Sequence, residues 1–233
     1  MLLFFMNFAA STFLLVILMQ RLLEYTPAQA GLALLPGSLV LALSFPIAGR
    51  VADQCDRRVI MLSGLSVFAL SSYLSSFLSL EWPLSWILWL VVLRFSSGGF
   101  VYAPMMAAAL SQLSPEKVRM GSGLLNLMQN GLGNTLGLAM VTTVLQRRLT
   151  YHSNVLDQQQ VFSALSWGEM LAPVHAFVRQ SGATGQLGEA QVLTLVRGHL
   201  EQQATVAAYQ DCFMLVTLLC LASMPLVLLL RRP

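Results

Sequence analysis

Charge is what this sequence has least of. Only 10% of its 233 residues are Asp, Glu, Lys or Arg, 56% are hydrophobic, and the mean hydropathy is +0.70. A soluble domain carries roughly 25% charged residues, so a water-soluble globular protein is excluded. The net charge of +3 and pI near 9.0 do not indicate nucleic acid, because the Arg and Lys residues sit in short joints rather than on one face or in a basic tail. Cysteine is scarce as well. Cys55, Cys212 and Cys220 form no C-x-x-C pair and have no histidine at metal spacing. No two of His152, His175 and His199 are three or four residues apart, so Glu189, His199 and Glu201 read as a solvated helix face and not as metal ligands. There is no H-E-x-x-H, no G-x-S-x-G and no pair of carboxylates within an apolar run, so an enzyme and a cofactor are not expected. The N-terminus lacks a basic n-region and an A-x-A-like cleavage site, and reads as a spanning helix and not as a removable signal.

What is abundant is the long apolar run. Six are present, at about 2–20, 28–49, 59–80, 84–111, 121–146 and 207–230. Each approaches the roughly 20 residues a helix needs to cross about 30 Å of hydrocarbon. Backbone groups in lipid must bond internally, and the period-two alternation of barrel strands is missing, so the runs predict helices. The expected fold is an all-α integral membrane protein, a six-transmembrane-helix bundle. Residues 1–146 supply helices one to five, 147–206 form an extracytoplasmic segment, and 207–233 form the last span with a short basic tail.

The basic residues set the expected orientation. Arg50, Arg57, Arg58, Lys117, Arg119, Arg231 and Arg232 fall on one side, against Arg21 and the pair Arg147 and Arg148 on the other. The positive-inside rule then places both termini in the cytoplasm. The 147–206 segment holds all three histidines and the breaker "SGATGQLGE". Within it, Val192, Leu195, Val196 and Leu200 recur at helical spacing and predict an amphipathic helix over 188–205 leading into the last span.

Charge is concentrated in "GRVADQCDRR", residues 49–58, which holds five charged residues between two apolar runs. Gly49 would let two helix ends approach, Asp53 would cap or pair across the joint, and Arg57 and Arg58 would hold a helix C-terminus or a carboxylate. This ordered spacing is expected to make a tight gate-like turn, the plainer alternative being a topology signal. The pattern resembles motif A of the major facilitator superfamily, G-x-x-x-D-(R/K)-x-G-(R/K)-(R/K), with Gln54 and Asp56 departing from it. In the fourth run, "LRFSSGG" resembles motif B, R-x-x-Q-G, with Arg94 and Gly98 in place and Ser97 where glutamine is usual. Residues 25–53, 121–152 and 208–233 are similar to the last third of EmrB/QacA-type drug:proton antiporters. This resemblance implies one half of a major facilitator fold, helices nine to fourteen of a fourteen-helix transporter. Many members carry arginine where Gln129 stands here.

Read from the residues alone, Arg94 is the one basic group inside a span. It must face protein or water, as a functional group or as an anchor between helices. On the fifth run, Asn126, Asn130, Asn134 and Gly137 trace one stripe at 100° per residue, with Gln129 beside it. Such a stripe must line a cavity or bond to other helices. Met105 and Met106, with Phe100 and Tyr102, would suit hydrophobic substrates or ordinary packing. Asp211, at the outer end of the last run, suits helix capping or loop pairing better than proton handling. Pro36, Pro46 and Pro104 suggest kinks.

The resemblance implies a proton-driven multidrug exporter in the inner membrane, working by alternating access on a small hydrophobic substrate. Its partners would be the lipid bilayer, the missing N-terminal transporter half, and a membrane-fusion protein. The alternative is a non-transporting scaffold or inactive truncated relic whose outer segment binds a partner. With Met1 opening straight into apolar sequence, the chain reads as a fragment or a half-transporter.

Overall fold

The computed structural model describes residues 1–79, 82–111, 113–162 and 186–228, the side chains at 53, 115, 116, 156–162, 186–197, 199 and 200 excepted. These residues are helical, with no strand among them. In chain order the helices are α1 (Leu2–Leu22), α2 (Pro27–Gln54), α3 (Arg57–Ser75), α4 (Leu84–Leu110), α5 (Pro115–Asn126), α6 (Asn134–Phe162) and α7 (Gln186–Leu228). A π-helical segment, Leu127–Gly133, joins α5 to α6 without a break. Among the described residues, five helices are long and apolar enough to cross a bilayer: Leu2–Leu22, Pro27–Ala52, Arg57–Ser75, Leu84–Leu110 and Glu201–Leu228. The 121–146 run is helical throughout, but it is shared between α5, the π segment and α6 and is not one of these five.

Local chemistry explains the ends. Thr26 opens α2 with a capping box: its hydroxyl accepts from Gln29 N at 3.3 Å while Gln29 Oε1 accepts from Thr26 N at 2.9 Å. Pro27 follows at the first helical position, where its missing N–H costs nothing. Asp56 caps α3, its carboxylate accepting from Arg58 N at 3.1 Å.

The chain divides into two compact units, Met1–Val144 with Tyr209–Pro233, and Leu145–Ala208. The first contains α1 to α5, the π segment, the start of α6 and the part of α7 from Tyr209 onward. Lipid tails are as apolar as leucine, so helices here associate through close packing and hydrogen bonds and not through hydrophobic burial. Small residues supply the close packing. At Gly99 of α4 an added Cβ would fall against the Ser44 hydroxyl and 2.7 Å from its Cβ, which brings α2 and α4 nearly to backbone contact. Where α1 meets α3 and α4 lies an aromatic cluster in which Phe8 packs against Phe4, Phe68 and Phe95. α7 joins through hydrogen bonds to α3 and the residues after it, from Gln210 Nε2 to Leu78 O at 2.6 Å and from Cys220 Sγ to Leu65 O at 3.5 Å.

The outside of the unit is apolar where α2 faces out. Leu32, Leu35, Leu39, Leu43 and Ile47 form one stripe at steps of three and four, with Leu39 and Leu43 64% and 65% exposed. In water this would be a large unpaired patch; against lipid it is matched. Trp86 and Trp89, exposed near the start of α4, suit the headgroup level where aromatic belts sit.

Candidate functional site

The charged joint differs from the expected turn. α2 continues through Gly49 and Asp53 to Gln54, so only Cys55 and Asp56 separate it from α3. Gly49 is therefore a helical position, and a Cβ there would meet nothing within 4 Å, so the expected close approach of helix ends is not made at that residue. The side chain of Asp53 lies outside the described residues. The capping role belongs to Asp56, a residue that departs from the motif; an aspartate just before an apolar run was the available signal. Arg57 opens α3, and the Arg58 guanidinium donates to Leu228 O at the far end of α7, 3.3 Å away.

A cavity of about 710 Å³ lies beside this joint, lined among others by Leu3, Asp56, Arg57, Arg58, Met61 and Met105. It brings Met105 to the charged joint; Met106 is not among its lining residues. Tyr102 stacks edge-on to Phe5 and Phe45, at 5.6 and 5.4 Å, and Phe100 packs on Gly64.

Arg94 is completely buried. Its Nη1 donates to Ser11 O of α1 at 3.1 Å, its Nη2 to Ser75 Oγ of α3 at 2.9 Å, and its guanidinium lies 5.2 Å from the Phe213 ring centroid of α7. One side chain on α4 thus ties three other helices together. Its Nε finds no acceptor among the described residues. Gly98, one turn on, lets Leu41 and Phe8 approach, at 2.9 and 3.3 Å from where a Cβ would stand.

The amides form a second arrangement, away from Arg94. Asn130 Nδ2 donates to Asn126 Oδ1 at 2.6 Å and Asn134 Nδ2 to Asn130 Oδ1 at 3.3 Å, a ladder along the outer surface of the rod. Asn126 and Asn130 are exposed, while Gln129 and Asn134 are half-buried. The stripe does not continue to Gly137 as a uniform 100° period predicts. The π segment widens the turn and rephases the start of α6. Gly133 and Gly137 are buried instead, where Cβ atoms would strike Phe5 and the Met6 backbone of α1.

Asp211 is inside α7, twenty-five residues from its first residue, so it cannot cap that helix as expected. Cys55 is exposed, and Cys212 and Cys220 are buried. Glu189 and His199 have side chains outside the described residues, and Arg231 and Arg232 lie outside them altogether. Among the described residues no three His, Cys, Asp or Glu side chains are grouped to hold a metal.

Comparison with known proteins agrees with this architecture. The family model "Major Facilitator Superfamily" matches residues 1–152. The chain is 26% identical to the uncharacterised MFS-type transporter YhcA of Bacillus subtilis, over 94% of this chain and 41% of that protein. It is 22% identical to the fatty acid resistance protein FarB of Neisseria gonorrhoeae, over 98% and 43%. It is 32% identical to the cephamycin export protein CmcT of Amycolatopsis lactamdurans, over 57% and 27%. The chain thus spans less than half the length of these relatives. Helical among its described residues, with several helices able to cross a bilayer and the family's pattern covering residues 1–152, the chain belongs to the major facilitator superfamily of membrane transporters.

Proposed function

We propose that this chain is the C-terminal six-helix bundle of a proton-driven multidrug exporter of the EmrB/QacA type, with the α5–π–α6 rod as its sixth span. The observation that carries the reading is the amide ladder of Asn126, Asn130 and Asn134, its first two members exposed, on an otherwise apolar bundle. Amides are poorly tolerated against lipid, so this face needs protein or water in front of it. A second bundle, facing it across a cavity, supplies both. FarB and CmcT are named for chemically unlike compounds, fatty acids and a cephamycin, which supports a broad substrate range.

In this reading hydrophobic or amphipathic compounds bind between the bundles near the midplane and leave as the bundles rock. The joint at Asp56 to Arg58 sits on the cytoplasmic side of an inner membrane, as do both ends of this segment. There Arg58 holds the end of α7 in one conformation and releases it in the other. A membrane-fusion protein extends the path outward. A scaffold would need no polar outward face within the bundle. The test is efflux of a hydrophobic dye from cells producing the complete polypeptide, with and without a protonophore. Efflux that collapses with the proton gradient supports the proposal. Accumulation identical to that of cells lacking the protein, with membrane levels intact, overturns it.

A further inference from the structure

The middle of the α5–π–α6 rod is polar without being charged. From Met120 to Gln146 there is no charged residue, and the polar side chains around the ladder are amides and hydroxyls: Asn126, Gln129, Asn130, Asn134 and Thr135. Each asparagine amide offers two donor hydrogens and two acceptor lone pairs. The two ladder bonds consume one donor and one acceptor each time, so the ladder retains as many free donors as free acceptors. Such a surface matches a carbonyl, hydroxyl or amide group. An ammonium ion would need acceptors in excess, and a carboxylate would need donors in excess.

The charged groups of the bundle are engaged or lie beyond this stretch: on the same rod, Lys117 and Arg119 precede Met120 and Arg147 and Arg148 follow Gln146. Arg94 is completely buried, and its terminal nitrogens are committed to Ser11 O and Ser75 Oγ. The charges of the α2–α3 joint lie on other helices and at their ends. The ladder also holds its own geometry, since each amide fixes the next and none needs a neighbouring helix to orient it.

We propose that this bundle gives the transport cavity an electroneutral wall that selects uncharged, hydrogen-bonding amphiphiles, with Asn126, Asn130 and Asn134 as the specificity-determining residues. The inference rests on the transporter reading and adds its substrate class. Apolar neighbours of the ladder, Leu127 and Leu132, are exposed on the same rod and take the substrate's hydrophobic part. Any charge on a substrate must then be met by the other bundle.

The test uses inverted membrane vesicles from cells producing the complete polypeptide. The probes are three fluorescent analogues of one aromatic scaffold, carrying a primary amide, a quaternary ammonium or a sulfonate. The expected wild-type preference is for the amide. Asn130→Asp replaces a balanced group with an acceptor-only charge, and should raise uptake of the cation relative to the amide about tenfold, the effect of roughly 1.4 kcal/mol from one new charge pair in a partly dry site. Asn126→Asp, at the other end of the ladder, should act in the same direction and serves if Asn130→Asp does not reach the membrane. Asn130→Leu should lower amide uptake without favouring either ion. A wild-type protein that carries the cation or the sulfonate as well as the amide overturns the proposal. So do aspartate variants that transport with unchanged ratios. Vesicles that move none of the three, with normal protein levels, overturn the transporter reading as well.

Discussion

Replacing Arg94 by methionine, alanine and lysine should give a stability order opposite to chemical similarity. Its two hydrogen bonds are charge-assisted and contribute about 1.5–3 kcal/mol each, and the face of Phe213 adds up to about 2. Against this stands the desolvation of a fully buried cation, several kcal/mol. The two sides nearly cancel, so the outcome depends on what each variant leaves behind. Arg94→Met fills most of the volume and orphans little: the Ser11 carbonyl keeps its partner within α1, and Ser75 Oγ still bonds to Ser71 O. It should stay within about 1 kcal/mol of wild type. Arg94→Ala leaves a cavity and should cost about 2–4 kcal/mol. Arg94→Lys keeps a buried charge but lacks the planar fork that reaches both α1 and α3, and should cost about 3–5 kcal/mol. Thermal unfolding of the purified protein in detergent, followed by circular dichroism, reads the order directly. The lysine variant should melt roughly 6–20 °C below wild type. A lysine variant as stable as wild type, or a methionine variant less stable than both others, would refute the reasoning that neutral oxygens on two helices hold this guanidinium.

Substitutions at three further positions probe the packing and the joint. Gly137→Ala would drive a Cβ into the Met6 backbone of α1, which cannot yield like a side chain, and should destabilise by about 1–3 kcal/mol in the same melt. Gly49→Ala enters open space in a helix, and should be neutral or stabilising by up to about 1 kcal/mol; a loss of stability there would mean that the joint packs more closely than the structure shows. Asp56→Ala removes the α3 cap and should cost about 1 kcal/mol, whereas Asp56→Asn, which still accepts from Arg58 N, should cost much less.

How far the sequence foretold these features depends on how local their causes are. α1 and α4 were legible almost to the residue, because an apolar run bounded by polar or proline-containing joints leaves little freedom. The α2–α3 joint was legible as a break but not in its length, since Arg50, Asp53 and Gln54 are polar yet still complete α2's last turns. A helix over 188–205 was expected, but not that it shares one continuous helix with the last span: no glycine or proline stands between Gly198 and Asp211, and α7 is unbroken from Gln186 to Leu228. The π segment was hidden for a different reason. A 100° rule assumes i to i+4 bonding throughout, and one extra residue per turn leaves no mark in a stretch of Asn, Gly and Leu. Arg94 announced that it needed partners. Their identity, a main-chain carbonyl and a serine hydroxyl, has no sequence pattern to betray it.

The most direct measurement is aqueous access to the amide face. In a Cys55→Ser background, which removes the exposed native thiol, Asn130→Cys and Leu39→Cys are each treated with a membrane-impermeant maleimide in vesicles of both orientations. Leu39 is 64% exposed on the apolar face of α2 and serves as the lipid-facing control. The expected result is that Asn130→Cys reacts, is shielded by a transported amide compound, and Leu39→Cys does not react. If Asn130→Cys resists the reagent as fully as Leu39→Cys does, the ladder faces no water-filled cavity and the claim that this bundle forms one wall of a transport path is contradicted.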